Sequence, residues 1–198
     1  MTPGRRRTGL LLAALLAGCA TLPPPTPQAV ARARAAQSYS GRVRVSLRAR
    51  DFRARTPVLI ALARPDMLRV EVPGPAGARL VTVAGGGQLV AVFPAERAVF
   101  RGAASALDLE ALLGVALTPA EVLDLLLGQP PPRLARYEAR WKDGLPIRVE
   151  ATLPDGARLT ATVEEAELDP VLPEGVFAEP MHQGYRSVDA EEARSLWR

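Results

Sequence analysis

From Tyr39 onward, apolar and polar residues alternate with a period of two. Val43, Val45 and Leu47 interleave with Arg42, Arg44, Ser46 and Arg48, the pattern of a strand with one buried and one wet face. Short runs rich in valine or leucine follow at 58–62, 67–72, 80–83, 89–93 and 98–100, each set off by glycine, proline or a charge. Such short spacing predicts antiparallel neighbours, because a parallel crossover takes about a dozen residues or more. Gly85-Gly86-Gly87 reads as a hairpin turn, since neither a strand-to-helix step nor a lysine follows to make it a phosphate loop.

The period then changes. Residues 105–113 and 119–127 carry helical apolar spacing. Thr118-Pro119-Ala120-Glu121 combines a capping threonine, proline at the first helical position and glutamate three residues after the cap. Gly128 closes this segment, and Pro130-Pro131-Pro132 prevents its continuation. With Val122, Leu123, Leu126 and Leu127 the helix is so apolar that it must lie against something. Strands resume at 134–141 and 145–153, joined by Lys142-Asp143-Gly144, and at 157–163 after Pro154-Asp155-Gly156. Asp-Gly supplies the positive φ that tight turns require. From Asp169 the pattern weakens, although Val176 and Phe177 are candidates to dock on the sheet. About six strands, two helices and then three or more strands predict an α+β fold with a single antiparallel sheet.

The N-terminal segment is of a different kind. Arg5, Arg6 and Arg7 precede an apolar run from Leu10 to Ala17, then Gly18 and Cys19. This is the layout of an export signal, and the run is far shorter than the ~20 residues that span a bilayer. Leu16-Ala17-Gly18-Cys19 resembles the bacterial lipobox, which implies cleavage before Cys19 and lipid on its thiol and new amine. The plain alternative is a secretory signal with an incidental cysteine. Against it, Cys19 is the chain's only cysteine and stands at the motif's position. Several acyl chains would anchor firmly, at about 0.8 kcal/mol per buried methylene. Ala20, in place of aspartate, points by resemblance to the outer membrane. Leu22-Pro23-Pro24-Pro25-Thr26-Pro27 reads as an extended tether, and 29–37 as one or two helical turns. The expected organisation is a signal peptide over 1–18, a lipidated cysteine and tether over 19–38, one domain over 39–168 and an extension over 169–198.

Charge removes one class of partner. Three of the 25 basic residues lie in the leader, leaving 22 against 21 acidic ones, and this balance gives no electrostatic case for nucleic acid. Arg32, Arg34, Arg42, Arg44, Arg48, Arg50, Arg53 and Arg55 crowd the segment after the tether. They read as the wet face of a strand, or alternatively as contacts for anionic lipid headgroups.

The parts of an enzyme are missing. The only histidine, His182, lies in the segment Pro180-Met181-His182-Gln183 and reads as a solvated tail residue. Without a second histidine or thiol a common zinc site cannot be assembled, and no nucleophile-elbow or phosphate-loop motif is present. Glu164, Glu165 and Glu167 read as a wet strand face rather than an acid/base pair. Trp141 and Trp197 read as packing residues. No cofactor is expected beyond covalent lipid on Cys19.

The segment Tyr39-Ser40-Gly41-Arg42, the strand-loop-strand stretch Leu68-Arg69-Val70-Glu71-Val72, Pro75-Ala76-Gly77, Leu80-Val81-Thr82-Val83, and Leu113-Gly114-Val115-Ala116-Leu117 followed by an apolar helix ending at Gly128 together resemble the LolA/LolB lipoprotein-carrier family. The lipobox brings the likeness nearest to LolB. The resemblance implies an unclosed antiparallel half-barrel with helices across its concave face and an apolar space between that takes up acyl chains. Candidate cavity and lid residues are Val43, Val45, Val70, Val81, Val122, Leu123, Leu126 and Leu127. The same residues would equally serve a filled core. The resemblance also implies a membrane-delivery loop at Pro75-Ala76-Gly77. There Ala76 stands where the family has a protruding leucine, with about 1.5 to 2 kcal/mol less apolar surface to insert.

The expected function is therefore an outer-membrane lipoprotein, anchored through its N-terminal acyl chains on the periplasmic side. It would bind or accept acylated cargo, with a periplasmic lipoprotein carrier as donor. The rival is a structural or assembly lipoprotein that contacts an envelope protein without lipid transfer.

Overall fold

The computed structural model describes residues 24–50 and 53–196. The leader, Cys19 and the start of the proline tether through Pro23 lie outside the described residues, as does Trp197. In chain order the elements are α1 (Pro27–Ala35), β1 (Ser38–Arg48), β2 (Arg53–Ala63), β3 (Met67–Gly74), β4 (Gly77–Gly85), β5 (Gln88–Phe93) and β6 (Ala98–Ala103). Then come α2 (Ala106–Leu113), α3 (Pro119–Leu126), β7 (Arg136–Lys142), β8 (Leu145–Thr152), β9 (Arg158–Leu168), β10 (Arg186–Ser187) and α4 (Ala190–Leu196).

The strands form one ten-stranded sheet in the order β10-β6-β5-β4-β3-β2-β1-β9-β8-β7. Every pairing is antiparallel except the short β10–β6 pair. The terminal strands β10 and β7 do not meet, so the sheet curls without closing. This is the expected α+β half-barrel, with one parallel strand added at an edge.

The turns follow their sequence signals. Gly86 and Gly87, both with positive φ, make the two-residue turn between paired Gly85 and Gln88. Asp143 and Gly144 do the same between β7 and β8, at φ 50° and 82°. Where β9 bulges against β1, the backbones approach so closely that a Cβ on Gly41 would stand 2.4 Å from the Glu165 carbonyl oxygen.

Two long connections cross the sheet, one over each face. β6 lies beside one edge and β7 forms the other, so the chain between them must traverse the sheet, and it carries α2 and α3 over the concave face. The chain from β9 to β10 returns across the outer face. There Arg69 donates to the Val176 carbonyl at 3.0 Å, Arg101 pairs with Glu179, and Tyr185 packs on Val90, Val92 and Val99. The segment over 169–196 is thus folded back onto the sheet, and Val188 and Ala193 join the main core. His182 shares in this contact. It touches Arg101, lies 3.4 Å from Glu179, and is mostly covered rather than solvated.

At the N-terminus, α1 begins at Pro27, inside the stretch read as tether, because Thr26 caps it by accepting the Ala29 amide at 3.2 Å. The Thr-Pro start is the signal that also opens α3, and here it is hidden behind a proline run. Among the described residues, no helix is long and apolar enough to cross a membrane.

Candidate functional site

The helices over the concave face are held by local chemistry. α2 is capped by Ser105, which accepts the Asp108 amide at 3.1 Å, and ends on Gly114 at φ 73°. α3 has a complete capping box. Thr118 Oγ1 accepts the Glu121 amide at 3.3 Å, and the Glu121 carboxylate accepts the Thr118 amide at 2.7 Å. Burial pushes the Glu121 carboxyl up, but hydrogen bonds from Arg133 and from Thr118 outweigh it and hold the group below its ordinary value.

Three ties fix α3 to the sheet. Arg64, in the β2–β3 turn, bonds Asp124 at 2.6 Å. The Tyr137 hydroxyl, its pKa pushed up to about 12 by burial, donates to the Leu125 carbonyl at 3.2 Å. Trp141 packs against Gly128, where a Cβ would come within 2.3 Å of the indole.

Between these helices and the sheet lies an open cavity of about 120 Å³. Its floor is the concave side of four neighbouring strands: Val43, Val45 and Leu47 of β1, Ala54 to Ile60 at alternate positions of β2, Leu68, Val70 and Val72 of β3, and Leu159 and Ala161 of β9. Its roof is Leu109 and Leu113 of α2, Val115 and Leu117 of the connector, and Val122, Leu125 and Leu126 of α3. Among the described residues Thr56 is the only polar one in the lining, and its hydroxyl is turned to its neighbour's carbonyl at 3.2 Å. The phenylalanines Phe93 and Phe100 and the buried Tyr39 belong to the core but not to the lining, so among the described residues the walls are aliphatic apart from Thr56.

The cavity is closed at one end and open at the other. Ile60 and Leu68 are buried, whereas Val45, Ala54, Thr56 and Val115 are half-exposed. These exposed walls lie towards the end of the sheet that carries the β1–β2, β3–β4 and β8–β9 turns. Pro75 and Ala76 form the two-residue turn between Gly74 and Gly77 at that same end, and Pro75, Ala76 and Gly77 are all exposed.

Five of the eight residues singled out for the cavity line it: Val43, Val45, Val70, Val122 and Leu126. Leu123 and Leu127 do not. They are buried one residue further round α3, and Leu125 takes the place beside Val122 and Leu126 that helical spacing of three and four dictates. Val81 lies on the opposite side of the sheet, between Glu71 and Val92. In β4 both faces are buried over 80–84, the outer one beneath the C-terminal segment, and the polar Thr82 lies on the concave side, so alternation does not reveal which side faces in. Leu109, Leu113, Val115 and Leu117 were missed for a different reason: helical spacing marks Leu109 and Leu113 as apolar but cannot say against what, and Val115 and Leu117 lie in a connector with no repeating pattern. Among the described residues, no three His, Cys, Asp or Glu side chains gather where they could hold a metal.

No protein-family model and no curated protein sequence matches the chain. Among solved structures it is similar to an uncharacterized conserved protein from Thermus thermophilus, with a TM-score of 0.44 and 11% identity over 82% of this chain and 98% of that one. A DUF1329 family protein from Desulfovibrio piger is similar at a TM-score of 0.46 and 10% identity, over 75% of this chain and 92% of that one. A LolA superfamily protein from Nitrosomonas europaea is similar at a TM-score of 0.45 and 12% identity, over 79% of this chain and 99% of that one.

Proposed function

We propose that this chain is an outer-membrane lipoprotein, anchored through acyl chains on Cys19, that binds or accepts the acyl part of lipidated cargo in the cavity under α2 and α3. The observation that carries the reading is the cavity itself: an open space with aliphatic walls that no side chain among the described residues fills. Its volume is of the order of the ~150 Å³ engineered cavity that stays dry and takes up benzene, so it has room for a short stretch of hydrocarbon. An acyl chain needs volume and dispersion contact rather than polar recognition, and a wall without charges provides that. A periplasmic lipoprotein carrier is the proposed donor, and the exposed turn at Ala76 the proposed point of delivery.

Native mass spectrometry of protein lacking residues 1–19, with extraction of co-purified lipid, tests the cavity. Bound fatty acid or lipoprotein-derived acyl chains are expected. Protein that retains no lipid and does not bind a fluorescent fatty acid would leave the rival reading, a lipoprotein that contacts an envelope protein. Palmitate labelling tests the anchor separately, and Cys19→Ser should abolish it.

A further inference from the structure

The outer face of the sheet is covered unevenly. The C-terminal segment lies over β4, β5 and β6, whereas the outer side of β2, β1 and β9 towards the cavity's open end is bare. That bare region carries arginines in a costly arrangement. Arg48 stands directly opposite Arg53 on one neighbouring strand and Arg158 on the other. Strands lie about 4.8 Å apart, so three like charges fall in a row about 10 Å long, which opposes folding. Arg55 shares the face two residues along β2, and Arg50 is exposed at the hairpin tip. Among the described residues, none of these five arginines makes an ion pair. Across 48–55 the sequence supplies a single acid, Asp51. The contrast with the rest of the sheet is plain. Arg44 pairs with Glu164, and Arg148, opposite Arg140, bonds Glu150 at 2.7 Å.

We infer that this arginine face docks on an anionic lipid bilayer. The patch has no walls to enclose a single ion, and it presents several cations side by side, as a sheet of phosphate headgroups requires. The choice of a bilayer over an acidic protein rests on the proposed lipidation of Cys19. Residues 19–25 reach about 20 Å when extended, at ~3 Å each, which is shorter than the about 36 Å length of an eleven-residue strand such as β1. The tether enters beside the sheet end opposite the patch, because Ala29 of α1 packs on Gly144 of the β7–β8 turn. A tether this short lets the arginines reach the same leaflet when the outer face lies along the membrane. In that pose the open end of the cavity comes down beside the headgroups.

The test is partitioning of the full chain, carrying Cys19→Ser so that no acyl anchor contributes, onto vesicles of phosphatidylcholine with or without about one-third phosphatidylglycerol. Replacing Arg48, Arg53 and Arg158 by Gln should weaken binding to the anionic vesicles about tenfold or more at low salt and leave binding to neutral vesicles unchanged. Its melting temperature should stay the same or rise, since repelling charges are removed. If the triple variant does not fold, Arg55→Gln and Arg158→Gln singly should each weaken anionic binding severalfold. Equal binding of parent and variant to anionic vesicles would overturn the inference, as would capture of the chain by poly-glutamate without vesicle binding. Loss of fatty-acid binding would leave this readout untouched, so failure of the cavity reading is a separate result.

Discussion

At the scale of single residues, one methyl group or ring decides whether the space under α3 exists. Val122 sits on the roof and is half-exposed, so an enlarged side chain there can fill the void without displacing a packed neighbour. Val122→Phe should abolish binding of a fluorescent fatty acid while changing stability by less than about 1.5 kcal/mol, read from urea denaturation. Leu126→Ala should do the reverse, enlarging the cavity at a cost of about 2–5 kcal/mol. If the Phe variant binds the probe as the parent does, hydrocarbon does not enter there. The parity of Val43, Val45 and Leu47 was legible in the sequence because arginines mark the wet face of β1. The parity of Val81 was not, because both faces of β4 are covered over 80–84 and the polar residue there, Thr82, is buried on the concave side.

At the scale of elements, α3 depends on its first turn. Thr118→Ala removes a side-chain acceptor from an orphan amide and should cost about 1 kcal/mol. Glu121 adds a pH signature. Its folded pKa lies below its ordinary value, so its contribution is present above the unfolded pKa of about 4.3 and is lost as pH falls through the folded value. Glu121→Gln retains a capping acceptor but not the charge facing Arg133. Parent and variant should therefore differ in melting temperature at about pH 6 and converge as pH falls below about 4. A constant difference across that range would assign the effect to packing instead. Both middle helices were legible because their caps are local in sequence: Ser105 with Asp108, and Thr118 with Glu121. Helix α1 was harder to see because prolines that favour extended chain run directly into the proline that starts it.

At the scale of the molecule, the C-terminal segment is part of the fold rather than an appendage. It shields Val90, Val92 and Val99 and adds Val188 and Ala193 to the core. Deleting residues 169–198 should expose that apolar face, lower the melting temperature and produce aggregation seen by light scattering. A truncated chain that stays monomeric and melts like the parent would contradict this account. The sheet and its helices could be read from periodicity and turn residues. The return crossing could not, because between 170 and 185 the chain makes isolated turns, such as Val176 on Pro173, and no repeating pattern. Its partners are single residues far away in sequence.

The path of the chain between β6 and β7 has a mechanical consequence. The roof of the cavity is fastened near both rims of the curled sheet, like a string drawn across a bow, so it cannot swing aside on one hinge. Width for a bulkier guest, beyond what projects through the open end, then comes from uncurling the β-layer itself. The two margins of the sheet are then the places where uptake is felt, at a distance from the hydrocarbon that causes it.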